Sequence, residues 1–252
     1  LTIIIRAYTF GDIDNDKVML DQNKKRVFEL PKINYTLRTI KSVIMSCEIA
    51  LEFFKNLKIN IIITDDKSNN KNLEKITKLL DTTKINTQII KLNEKEFDSE
   101  ISKKDINGKE ISQNMISNMR NILKSIKISE EYDSDLFYFL EDDYIHTKEA
   151  ITEMLYTYEK ISSQLDRELF LCPADYPYLY SNIDETKIFF GNKNHWRTIK
   201  ESLITFMTSK IMINRYLDDL KLMGKLRHHP MEQKLHQIYE KEYCLSPIPS
   251  LS

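Results

Sequence analysis

The sequence predicts an α/β fold: a mostly parallel central sheet flanked by helices, becoming mixed and antiparallel in its C-terminal region. Three observations predict it. Short β-branched or aromatic runs recur along the chain, among them Thr2 to Thr9, Lys58 to Thr64 and Leu136 to Leu140, and unbroken apolar runs of this length suit strands covered on both faces. Amphipathic stretches with apolar residues three and four apart separate these runs, the alternation that builds parallel sheets with right-handed crossovers. Acids gather where the runs end, at Asp65-Asp66 and Glu141-Asp142-Asp143, and ligands of such sheets bind beyond the carboxyl ends of the strands.

Taken in order, the first strand ends in Arg6, Ala7 and Tyr8, and a polar stretch from Gly11 to Lys32, mixed in charge, reads as a long loop or hairpin insertion. Asn34 is the expected cap of a helix whose stripe is Leu37, Ile40, Ile44, Cys47, Leu51 and Phe54. A second strand, a short helix from Lys71 to Leu80 and a third strand from Asn86 to Leu92 follow, then a helix with Ile111, Met115, Met119, Ile122 and Ile126 inside. After the central strand at 136–140 come a helix from Thr147 to Leu165 and a strand from Glu168 to Pro173. Three antiparallel strands are expected around the Gly191-Asn192 turn, at 187–190, 196–200 and 203–208, then helices from Ser209 to Leu220 and from Pro230 onward.

The chain has 252 residues, 41% hydrophobic and 30% charged, enough to bury the core of a single domain. A formal net charge of -1 gives no bulk attraction to nucleic acid, so selectivity must come from a site. Cys47, Cys172 and Cys244 lie far apart, which argues against a zinc ribbon or disulfide framework and fits a reducing compartment. No apolar run is long enough to span a bilayer, and no basic-then-apolar signal segment opens the chain. A cytoplasmic location is expected, with attachment to a membrane surface left open. The chain starts at Leu1 and ends abruptly at Ser252, so it reads as a piece of something longer.

Three adjacent acids at a strand's exit repel one another, and the cost is easiest to explain if a cation sits there, a hard divalent metal above all; a solvated turn is the plain alternative. Ala174-Asp175-Tyr176-Pro177-Tyr178 reads either as an aromatic shelf that stacks a sugar or base or as a minor core. His195-Trp196-Arg197 could hold a phosphate or form a plain hairpin. His228, Glu232 and His236 recur four apart, which on one helix face suits a general base or metal ligand. Glu232 in a first helical turn is equally explained by the helix dipole.

These residues resemble the GT-A glycosyltransferases, most closely the family 2 pattern. Ile3 to Tyr8 is similar to the opening strand whose end meets the nucleotide base, and Thr64-Asp65-Asp66-Lys67-Ser68 to the V-D-D-x-S turn. Met119-Arg120-Asn121 is similar to the A-R-N helix before the metal strand, and Leu140-Glu141-Asp142-Asp143 falls where the D-x-D signature stands. The resemblance implies a nucleotide-sugar donor, UDP- or GDP-linked, bound by residues 1–150, with 151–252 as the acceptor side of the same domain. Tyr8 and Asp65 would meet the base, Asp142 the ribose and Asp143 a Mn²⁺ or Mg²⁺ ion bridging the diphosphate; Arg6, Ala7, Arg120, His195 and Arg197 are further candidates on the donor side. Inverting members place an acid against the acceptor hydroxyl, and Glu232 is the first choice here, Asp175 the second. The Q-x-x-R-W signature of processive members is absent, which implies a single transfer to a glycan, lipid or protein acceptor. A sugar nucleotidyltransferase would need a Gly-rich loop after the first strand, where Arg6 to Gly11 offers one glycine. A non-catalytic sugar- or nucleotide-binding module remains the alternative from another class.

Overall fold

The computed structural model describes residues 1–9, 30–93, 95–181 and 184–252. Most of the polar insertion expected between Gly11 and Lys32 therefore lies outside the described residues. The strands are β1 (Thr2–Ala7), β2 (Asn60–Asp65), β3 (Asn86–Lys91), β4 (Leu136–Glu141), β5 (Phe170–Leu171), β6 (Ile188–Phe190), β7 (His195–Ile199), β8 (Phe206–Ser209) and β9 (Cys244–Ile248). They form one sheet in the order β3-β2-β1-β4-β8-β5-β9-β7-β6. β1, β2, β3 and β4 run parallel, while β8 is antiparallel to both β4 and β5, so the sheet becomes mixed on its C-terminal side as the sequence implies.

The helices are α1 (Lys32–Phe53), α2 (Asn70–Leu80), α3 (Gln113–Glu131), α4 (Ala150–Leu165), α5 (Lys210–Arg215), α6 (Leu217–Lys225) and α7 (Gln233–Tyr239). Alternation along the strands sorts them between the two faces. Ile3, Ile5, Ile61, Ile63, Tyr138 and Leu140 pack with α1, α2 and α4. Ile4, Ile62, Phe137 and Phe139 pack with α3, α5, α6 and α7. Each such side chain, fully buried, contributes about 1.5–3 kcal/mol relative to exposure. Among the described residues no helix is long and apolar enough to cross a membrane.

Several elements differ from the sequence expectation. α1 starts at Lys32 behind Pro31, and Asn34 lies inside it, donating its N–H to the Pro31 carbonyl at 2.9 Å. Pro31 lacks an N–H, which costs nothing where the first helical donors are unpaired anyway. The helix expected from Ser209 to Leu220 is two helices, broken at Tyr216 (φ -115°, ψ 22°), whose hydroxyl donates to Glu242 at 2.7 Å. β8 does not join the β6/β7 hairpin; it lies between β4 and β5. β9 was not expected at all, because Pro247 and Pro249 argue against a central strand, yet it pairs with β5 and β7.

The β6/β7 hairpin is fastened to α4 by a buried carboxylate. Glu153, 2% exposed, accepts the backbone N–H groups of Asn192, Lys193 and Asn194 at 2.8–3.2 Å and the Trp196 indole N–H at 3.1 Å. Gly191 is required beside it: a Cβ there would lie 2.6 Å from Glu153 Oε1 and closer still to Thr157 Oγ1. The polar charge that a buried helix face would normally exclude is thus fully hydrogen-bonded.

Candidate active site

β1 and β4 are neighbours whose following helices, α1 and α4, lead away from the same end of the sheet. The strand order reverses at β1, and a crevice at such a switch point is where open α/β sheets bind ligands. A cavity of about 720 Å³ opens there, lined among others by Arg6, Tyr8, Lys32, Glu141, Asp142 and Asp143 and by Asn114, Asn118, Tyr144, Asp175, Tyr176 and Ser250. Register explains the convergence: Arg6 is paired with Glu141, and Ala7 with Asp65.

The three acids have different environments. Asp142 is 5% exposed; its Oδ2 accepts the Thr36 hydroxyl at 2.8 Å and the Tyr8 N–H at 3.3 Å, and its Oδ1 lies 2.6 Å from Lys32 Nζ. It ties β1, α1 and β4 together at the cavity floor. Asp143 is more open, its side chain 35% exposed and 3.7 Å from the same lysine. Glu141 lies 3.1 Å from Arg6 Nη2. Burial raises its carboxyl above the usual range, Arg6 opposes this, and the charges of Asp143 and Glu232 add to it. The repulsion foreseen from the sequence is thus offset in part by two of the chain's own cations, Arg6 and Lys32.

Arg6 is 6% exposed and donates through Nη1 to the Ile204 carbonyl at 3.0 Å. Its Nη2 is buried at the cavity wall and, despite its nearness to Glu141, makes no hydrogen bond of acceptable geometry. Such a donor is costly to bury unless a ligand accepts from it.

Also lining the cavity, Tyr144 and Tyr176 share a hydrogen bond of 2.6 Å, and Tyr176 stacks on Tyr178 with ring centroids 5.2 Å apart and planes 12° from parallel. Burial pushes both Tyr144 and Tyr176 well up, so they stay neutral hydroxyls. Asp175 faces the cavity, but Oδ1 lies 2.7 Å from Arg197 Nη2 and Oδ2 accepts the Tyr180 hydroxyl.

Of the residues singled out in the sequence, Arg6, Tyr8, Asp142, Asp143 and Asp175 line one cavity. Ala7 and Asp65, buried and paired at the ends of β1 and β2, do not line it. Arg120 and Arg197 do not line it: Arg120 is buried against Asp66 at 2.9 Å, and Arg197 stands behind Asp175. His195 is exposed on β7 beside Phe190. Glu232 precedes α7 and does not line the cavity, although its charge reaches Glu141. His228 lies outside any helix and bonds the Leu226 carbonyl, and His236 bonds the Ser202 carbonyl, so the single helical face drawn through His228, Glu232 and His236 does not form. Lys32 and Thr36 escaped the sequence reading. Asn114 and Asn118 escaped it too, though two amides four apart at the start of an apolar helix form a readable polar stripe.

Asp65 carries a test of its own. Its Oδ1 is buried without a partner while Oδ2 accepts the Ser68 N–H at 3.3 Å. Burial raises its pKa from 3.8 to about 6, against hydrogen bonds from Ser68 that lower it. A carboxyl whose folded pKa is raised holds its proton better when folded, so its burden on stability is absent below about pH 4 and grows as pH rises through about 6. Asp65→Asn is therefore expected to stabilise the fold at pH 7.5 by on the order of 2 kcal/mol and to change little at pH 4. Urea unfolding at both pH values checks this; equal effects at both would contradict it.

A divalent ion fits this wall only in company. Among the described residues no three His, Cys, Asp or Glu side chains lie grouped for a metal, so these residues alone make no closed site. Asp143 nevertheless offers a hard, half-open carboxylate on the cavity, and Mg²⁺-type ions are commonly held by one or two carboxylates with the remaining positions filled by substrate phosphates and water.

No protein-family model matches the sequence, and no curated protein sequence does either. Among solved structures the chain is similar to residues 1–349 of S. aureus TarS, with 11% identity and a TM-score of 0.51 over 97% of this chain. It spans 57% of that TarS chain. A UDP-glucose pyrophosphorylase complexed with UDP-glucose (8% identity, 98% of this chain and 89% of that one, TM-score 0.48) and the galactosyltransferase LgtC in complex with donor and acceptor sugar analogs (13% identity, 96% and 66%, TM-score 0.39) are more distant in shape. At such identities the likeness concerns the fold alone. The fold is of the Rossmann-like GT-A type: a mixed central sheet flanked by helices.

Proposed function

We propose that the chain is a glycosyltransferase that binds a UDP- or GDP-sugar in the cavity beyond β1 and β4 and passes the sugar in a single transfer to an acceptor hydroxyl. One observation carries the reading: the Arg6 guanidinium, which meets Glu141 at 3.1 Å, and the half-open Asp143 carboxylate line the same cavity. A diphosphate offers acceptors to the first and can carry a metal to the second. A volume of about 720 Å³ lies in the range of ligand pockets.

In this reading the ends of β1 and β2, with Ala7, Tyr8 and Asp65, receive the base, and Asp142 fixes the floor on which the ribose rests. Asp143 is the ligand for Mn²⁺ or Mg²⁺, which when bound offsets charge on the departing nucleoside diphosphate. Arg6 adds a fixed positive charge at the wall. Residues 151–252 supply the acceptor side. Glu232 is the proposed base: among the described residues no hydrogen bond or ion pair holds its carboxylate. Asp175 is second, because both its oxygens are engaged. That engagement is also what favours the second reading, a non-catalytic nucleotide-sugar-binding module.

Incubation with a panel of UDP- and GDP-sugars, with and without Mn²⁺, is the deciding experiment. Slow donor hydrolysis of at least one sugar, stimulated by Mn²⁺, is the expected result. Binding of a donor without hydrolysis of any would favour the binding module, and no binding of any would overturn both.

A further inference from the structure

The ammonium of Lys32 occupies the place where a divalent ion would neutralise the acids. It is 2.6 Å from Asp142 Oδ1 and 3.7 Å from Asp143 Oδ2, and its side chain is only 16% exposed. Lys32 is also the first residue of α1, where the helix dipole disfavours a cation, so the acids, not the helix, hold it there. A lysine is a compact charge on a flexible stem of four carbons and can swing where an arginine fork would be fixed.

An ammonium and a divalent cation cannot both sit within reach of the Asp143 carboxylate at these distances without strong repulsion. Yet Lys32, like Arg6, lines the cavity, so a phosphate bound there would lie within a swing of its ammonium. From this geometry we infer that Lys32 is a resident counter-ion of the Asp142–Asp143 pair, competing with the metal until a nucleoside diphosphate draws its ammonium away. Metal and nucleotide then bind cooperatively, and the empty enzyme keeps its acids neutralised without a metal. The inference rests on the donor reading above only for its second half, since competition between Lys32 and the metal needs no nucleotide.

The test measures Mn²⁺ binding to the full chain by electron paramagnetic resonance, first with no nucleotide. Lys32→Met is expected to bind Mn²⁺ at least about tenfold more tightly than wild type, a coupling of ordinary size, and Lys32→Arg, which keeps the charge, to remain weak. Melting curves of all three identify any variant that fails to fold, and if Lys32→Met is that variant, Lys32→Gln, which also removes the charge, takes its place with the same expected tightening. Adding UDP or GDP should tighten Mn²⁺ binding to wild type by at least about tenfold and to Lys32→Met far less. Equal Mn²⁺ affinity in wild type and folded Lys32→Met overturns the proposal, as does wild-type Mn²⁺ affinity that ignores a nucleotide shown to bind. The first arm contains no nucleotide, so its failure is separate from failure of the donor reading, which the hydrolysis panel decides.

Discussion

Asp143→Ala is expected to lower metal-stimulated donor hydrolysis by about a thousandfold while leaving the fold intact. The side chain is 35% exposed and lies 3.7 Å from Lys32, and changes at exposed positions usually stay within about 0.5 kcal/mol. The functional loss is set by different physics. Charge stabilisation by a bound metal is worth several kcal/mol at the departing phosphate, and about 4 kcal/mol corresponds to roughly a thousandfold in rate. Asp142→Ala is the contrast: it takes the acceptor from Thr36 and from the Tyr8 N–H, so activity and stability should fall together. Urea unfolding beside hydrolysis rates separates the two. Hydrolysis by Asp143→Ala within tenfold of wild type would remove this carboxylate from the proposed chemistry.

The sheet's parallel half was legible because its strands are covered on both faces. Ile3 to Ile5, Ile61 to Ile63 and Phe137 to Leu140 are essentially unexposed, and complete burial leaves unbroken apolar runs that have no other economical explanation. β9 was not legible, since its prolines speak against a strand and its partners β5 and β7 are distant in sequence. The acids at strand ends were visible as a cluster, but their environments were not: Asp142 is held by Thr36 and Lys32, more than a hundred residues earlier, and nothing in a Pro-Lys pair announces that contact. Glu153 was legible only as an anomaly, a charge between Ile151 and Met154 on a buried helix face. Its explanation lies in three backbone donors of a turn some forty residues on.

Arg120→Met is expected to cost about 3–5 kcal/mol of stability, because it strands the Asp66 carboxylate in the interior. Arg120 is 4% exposed and Asp66 1%. Arg120 Nη1 meets Asp66 Oδ2 at 2.9 Å, beside the Ser117 hydroxyl at 2.6 Å, while Oδ1 has no partner. The same guanidinium donates through Nε to the Glu96 carbonyl. Asp66 in turn donates its N–H to the Ala7 carbonyl at 3.3 Å, and Asn121, the next residue on α3, donates to that carbonyl at 3.1 Å. Arg120, which does not line the cavity, and Asn121, which does, therefore fix the strand ends that frame it. In the double variant Asp66→Asn/Arg120→Met the stranded charge is gone, so much of the loss should be recovered, giving a favourable coupling of at least about 1 kcal/mol between the two sites in a double-mutant cycle. Urea unfolding of the four proteins measures it. A cost below about 1 kcal/mol for Arg120→Met, with donor affinity lost instead, would mean that the guanidinium reaches the ligand and not the scaffold.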